Sequence, residues 1–67
     1  MTTNAITYTR SEIEAMINEL TDSIGYRKTM FLREGTEFLR KFLNEAITRK
    51  AELELLIVDE SVQTVSL

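Results

Sequence analysis

The stretch Asn4-Ala5-Ile6-Thr7-Tyr8-Thr9-Arg10-Ser11-Glu12 decides the fold, because the chain changes its structural period within it. Residues 4–9 alternate Ile6 and Tyr8 with Ala5, Thr7 and Thr9, the two-residue period of a β-strand with one apolar face. Thr9 and Glu12 then have the spacing of a helix capping box, with Ser11 as an alternative N-cap. A strand this short needs a partner for its backbone donors and acceptors. No second strand stands near it in sequence. The expected partner is therefore the same strand of a second copy, giving an intermolecular two-stranded antiparallel ribbon.

Working outward, Ile13, Met16, Ile17, Leu20 and Ile24 form the stripe of an amphipathic helix over about residues 11–24. Glu12 and Glu14 suit the positive end of its macrodipole. Gly25 is expected to stop this helix, since glycine takes the left-handed C′ conformation without steric cost. A longer helix is expected from about Lys28, with Met30, Phe31, Leu32, Phe38, Leu39, Phe42, Leu43, Ala46 and Ile47 apolar on more than one side. That pattern suits a helix touching both its own first helix and a partner chain. Gly35 would sit inside it at a cost of about 1 kcal/mol relative to Ala, and close approach of a second backbone is the expected reason. Residues 51–67 read first as continued helix and then as an irregular end, with weak alternation from Val62 to Leu67.

At 67 residues the chain forms one small domain, and such a chain buries only about 60% of its unfolded surface. Cys and His are absent, which removes disulfides and the common zinc ligands and leaves oligomerisation as the expected stabiliser. The net charge of −3 is unevenly spread. Residues 1–50 hold eight basic and seven acidic side chains, whereas residues 51–67 hold Glu52, Glu54, Asp59 and Glu60 with no basic one. The chain thus divides into a near-neutral body, residues 1–50, and an acidic C-terminal extension, residues 51–67. No apolar run is long enough to span a bilayer and Met1-Thr2-Thr3-Asn4 is not a signal peptide, so a cytoplasmic protein with no membrane partner is expected. Catalysis finds no support: the serines have no evident base, and no phosphate-binding glycine motif occurs. The chain is read as not an enzyme, with no cofactor and no metal.

Two stretches carry a resemblance. Ile6-Thr7-Tyr8-Thr9-Arg10-Ser11-Glu12 resembles the strand and Ser-Glu helix start of the ribbon-helix-helix family of DNA-binding regulators, the Arc/MetJ type. Gly25-Tyr26-Arg27-Lys28-Thr29-Met30-Phe31-Leu32-Arg33-Glu34-Gly35-Thr36-Glu37-Phe38-Leu39 resembles that family's glycine turn and second helix. Together they cover about the first two-thirds of the chain. There are departures. Arg27 stands where the family usually has Ser, so Thr29 becomes the substitute cap, and the first helix is about one residue short. A one-residue slip in strand register would exchange its faces.

The resemblance implies a mainly α fold with one short N-terminal β-strand, assembled as an intertwined homodimer whose ribbon enters the major groove. With Ile6 and Tyr8 turned to the core, Ala5, Thr7 and Thr9 face the bases. Arg27, Lys28 and Thr29, at the N-terminus of the second helix, would contact phosphate. Ile6, Tyr8, Ile13, Ile17, Leu20, Phe31, Leu32, Gly35 and Leu39 would form the dimer core. The expected function is a sequence-specific transcriptional regulator, a repressor or an antitoxin-type autoregulator, with double-stranded DNA and a second copy as partners. In an antitoxin, Leu53, Leu55, Leu56, Ile57 and Val58 would hold a toxin or another protein. The alternative is a small helical protein-interaction module or inhibitor that does not bind DNA, which the acidic balance and the weak base-reading face favour.

Overall fold

Thr9 closes a strand and opens a helix in the same residue. Its backbone is extended, its hydroxyl accepts the Glu12 N–H at 3.2 Å, and its own N–H donates to Glu12 Oε1 at 2.8 Å. This is the reciprocal capping box expected from the sequence. A computed structural model describes residues 6–67. Along them run β1 (Thr7–Thr9), α1 (Arg10–Glu34), α2 (Glu37–Leu56) and β2 (Thr64–Ser66). The protein is mainly helical with a short N-terminal strand. Ala5, part of the expected strand, lies outside the described residues.

The helical part departs from the sequence reading at Gly25. Instead of stopping there and restarting near Lys28, α1 runs straight through to Glu34. The reason lies in its seam. Ile13, Ile17, Leu20, Ile24, Arg27 and Phe31 alternate spacings of four and three, so the face that packs on a neighbouring helix continues unbroken past Gly25. On α2 the matching seam is Leu39, Phe42, Ala46, Leu53 and Leu56, which makes the pair an antiparallel helical hairpin. Gly25 costs about 1 kcal/mol in that helix, less than breaking the seam.

The turn falls at Gly35 instead. Its φ of 63° is left-handed, its N–H donates to Phe31 O at 2.7 Å, and Thr36 follows as the N-cap of α2, its hydroxyl accepting from Leu39 N. Gly35 is therefore needed for its φ. Within the described residues of the chain, no atom beyond its sequence neighbours lies within 4 Å of where its Cβ would be.

The C-terminal end also differs from expectation. It forms β2, antiparallel to β1 in the register Thr7↔Ser66, Tyr8↔Val65 and Thr9↔Thr64. Backbone bonds extend the ladder at both ends, through Ile6 with Leu67 and from Arg10 N to Gln63 O. β1 thus has a partner in its own chain, which short-range reading missed because β2 lies at the far end of the sequence. Tyr8 and Val65 point inward, while Thr7, Thr9, Thr64 and Ser66 point out.

The core sits at the open end of the hairpin, under this ribbon. Ile13, Leu53 and Val65 are buried there, with Tyr8, Met16, Ile17, Leu20, Leu56, Ile57 and Val62 packed around them. Full burial of a side chain such as Ile13 or Leu53 contributes about 1.5–3 kcal/mol. Farther toward the turn, Leu39 and Ala46 are the buried residues among those described, because no other described element covers the two helices there.

Candidate interaction surfaces

An arginine clamp knits the open end together. The Arg10 guanidinium donates to three carbonyls of the segment that leaves α2: Ile57 O at 2.7 Å, Asp59 O at 2.9 Å and Val62 O at 2.9 Å. The last turn of α2 has no basic residue, and its free carbonyls form the negative end of the helix dipole. Arg10 supplies the missing cation from the start of the other helix. Within the clamped segment, Asp59 Oδ1 accepts the Ser61 N–H at 2.9 Å and the Ser61 hydroxyl at 2.8 Å. Those two hydrogen bonds, with a smaller contribution from the Arg10 charge, hold the Asp59 carboxyl below its ordinary range.

The ribbon presents hydroxyls. Thr7 and Ser66 sit opposite one another, their oxygens 3.3 Å apart, beside exposed Thr9 and Thr64. Thr7 and Thr9, expected to face bases, are exposed, and Tyr8 is half-buried between them. Ile6, expected in a core, is 58% exposed in this chain. The outer edge of β1 is short, since the Thr9 N–H is already taken by Glu12.

Arg27, Lys28 and Thr29 lie in the middle of α1, where backbone N–H groups are engaged within the helix. The free helix N-terminus that motivated phosphate binding is not at these residues, because α1 does not break at Gly25. Thr29 instead donates its hydroxyl to Gly25 O at 3.0 Å. Arg27 occupies a seam position: it donates to Phe42 O at 2.6 Å and its guanidinium lies 3.7 Å from the centroid of the Phe42 ring. Its Nε is buried with no hydrogen-bond partner. Phe38 stacks on Phe42 at 6.0 Å between centroids, continuing the pile toward the turn.

Of the residues expected in a dimer core, Ile13 and Leu39 are buried within the chain and Ile17 and Leu20 pack on its core. Leu32 is 74% exposed, and Gly35 forms the turn. Of the possible partner-binding set, Leu53 is buried and Leu56 and Ile57 pack on the core, leaving Leu55 and Val58 exposed. Of the exposed apolar residues, Leu32, Phe38 and Ile47 were legible only as part of a two-sided stripe, and Tyr26 only as part of a turn.

A groove of about 400 Å³ opens on one side of the hairpin, lined by Met16, Glu19, Leu20, Ser23, Arg49 and Leu53. Charge is polarised along the hairpin. The half nearer the turn, residues 23–46, holds five basic and three acidic side chains, net +2. The open-end half, residues 6–22 and 47–67, holds three basic and eight acidic ones, net −5. Among the described residues, no helix is long and apolar enough to cross a membrane and no group of three or more His, Cys, Asp or Glu is placed to hold a metal.

No family model, no curated protein and no solved structure matches the chain.

Proposed function

We propose that this protein is a small interaction module, a helical hairpin that works by docking protein onto an apolar face. One observation carries the reading. Among the described residues, α1 and α2 pack only on each other away from the open end, leaving Phe38 72% and Tyr26 65% exposed, with Leu32 74% and Ile47 46% exposed on the opposite side. A stable domain needs a second layer over such a surface, and large exposed apolar patches mark interaction sites. The negative ribbon end disfavours a phosphate backbone as the partner, because affinity for DNA rests on positive charge set against phosphates.

A second reading is favoured by the hydroxyl face of the ribbon. It is a dimeric DNA-binding regulator in which β1 strands of two copies pair and Thr7 and Thr9 meet base edges in the major groove. Threonine can donate, accept and contact a thymine methyl there. In its antitoxin form, the exposed Leu55 and Val58 would contribute to a toxin contact.

Site-specific photo-crosslinking in cells tests both. A photoreactive side chain replacing Phe38 or Met16 is expected to give discrete protein adducts, and one replacing Asn44 on the outer face of α2 is not. An adduct of nucleic acid from position 7, with no protein adduct from 16 or 38, would overturn the interaction module and support the regulator. The absence of any adduct at positions 7, 16 and 38 would overturn both.

A further inference from the structure

We infer that the occupant of the grooved face is a second copy of this chain, docked antiparallel so that Phe38 of each copy enters the groove of the other. This rests on the reading of the hairpin as a protein-docking surface and names its partner.

The groove and the protruding ring lie on the same side of the molecule. Phe38 and Arg49 are about three helical turns apart on α2, so they share a stripe, and Phe42 lies on it between them. Arg49 lines the groove. On α1 the same side is marked by Met16, Ser23 and Met30, which recur at intervals of about two turns. The face therefore has a projecting aromatic near the turn, a groove near the open end, and small Ser23 close to the midpoint of α1. Met16 and Met30 add side chains that repack easily around an inserted ring. The opposite face carries exposed Leu32 and Ile47.

A protrusion and a hollow at opposite ends of one face are self-complementary under a two-fold axis through its middle. A parallel pair would set Phe38 on Phe38 and groove on groove. An antiparallel pair sets each Phe38 over the other's groove, with Ser23 near the axis. Charge selects the same orientation. The +2 turn half of each copy comes to lie on the −5 open-end half of the other, whereas a parallel pair would stack the −5 halves. The area is sufficient. Two helices about 30 Å long and 9 Å apart present a face of roughly 550–600 Å². Two such faces give on the order of 1,100–1,200 Å², the lower edge of stable interfaces. A weak, concentration-dependent dimer is the consequence.

The test uses the full chain, which has no Cys of its own. Sedimentation from low to high micromolar concentration is expected to show a monomer–dimer equilibrium that weakens with salt. Phe38→Ala is expected to raise the dissociation constant about 100-fold, roughly tenfold for each of the two rings removed. Circular dichroism should show its helix content unchanged, because Phe38 is already exposed in the single chain. Under mild oxidation Ser23→Cys should form a disulfide-linked dimer, while Phe38→Cys and Leu32→Cys should not. A dimer linked through Phe38→Cys would overturn the antiparallel arrangement, and one linked through Leu32→Cys would overturn the choice of face. A monomer at every concentration would overturn the second copy as occupant. In that case, a heterologous protein adduct from position 38 would still uphold the interaction module, and its absence would sink that as well.

Discussion

Replacing each glycine by alanine separates a hairpin broken at Gly35 from one broken at Gly25. In the structure Gly25 is inside a helix, is exposed, and has no atom within 4 Å of the position a Cβ would take. Ala there removes the helix-interior penalty of Gly and should stabilise by about 0.5–1 kcal/mol. For a domain of this size that corresponds to a rise in Tm of about 2–8 °C. Gly35 has equal space, but its φ is +63°. An L-residue in that conformation costs about 1–2 kcal/mol, partly offset by a less mobile unfolded chain, so Gly35→Ala should lower Tm by several degrees. Thermal unfolding followed by circular dichroism at one fixed protein concentration measures both, since self-association makes Tm concentration-dependent. The signs carry the test. If Gly25→Ala lowered Tm while Gly35→Ala raised it, the left-handed turn would lie at Gly25, and the continuous seam used to explain α1 would be wrong.

Other substitutions probe the clamp, the seam and the turn. Arg10→Met removes three charge-assisted hydrogen bonds at a partly exposed site and should cost about 2–3 kcal/mol. Hydrogen exchange should accelerate first in residues 57–67, and uniform acceleration along the chain would contradict a local clamp. Arg27→Met keeps an aliphatic stem in the seam and eliminates a buried nitrogen without a partner, so it should be neutral or stabilising by up to about 1 kcal/mol in chemical denaturation. Arg27→Ala loses the packing and the contact with Phe42 and should instead destabilise by about 1–3 kcal/mol. Asp59 contributes stability in its charged form because its folded pKa is lowered. That contribution is present above the ordinary aspartate range and is lost as pH falls through the lowered value. Asp59→Asn should flatten this acid-side dependence for the 57–62 segment, observed by amide chemical shifts; an unchanged acid titration of Ser61 would refute the turn as its source.

The sequence carries local signals well and long-range ones poorly here. The capping box at Thr9 and Glu12 was legible because both residues lie within one helical turn. Helical character from Ile13 to Ile24 followed from spacing alone. The break falls elsewhere because two glycines, in Gly25-Tyr26-Arg27 and in Gly35-Thr36, both satisfy the rule for a helix end. What distinguishes them is the N-capping threonine directly after Gly35 and a seam that counts Arg27 as a member. Arginine does not look like a seam residue until Phe42 is seen beneath it. The partner of β1 was out of reach for a different reason. Val62 to Leu67 alternates only weakly, and its pairing with residues 6–10 depends on a hairpin that returns the chain to its starting end.

That return changes where the need for a second copy arises. An isolated N-terminal strand demands another chain, since unpaired backbone groups are costly when buried. Here β2 answers that demand from within the chain, and Arg10 fixes the answer by holding the three carbonyls through which the chain passes from α2 toward β2. The surface-to-volume problem of a short chain persists all the same. It moves to the other end of the molecule, where no described element covers the helices near the turn. Strengthening the clamped end cannot relieve it, because Phe38 and Leu32 lie far along the hairpin from Val65 and the cluster under the ribbon. The open end can therefore fold on contacts within one chain, while the apolar surface near the turn calls for a contact outside it. Loss of partner binding should consequently leave the ribbon protected from hydrogen exchange and expose chiefly residues 26–43; simultaneous loss of protection in β1 and β2 would show that the two ends are not energetically separate.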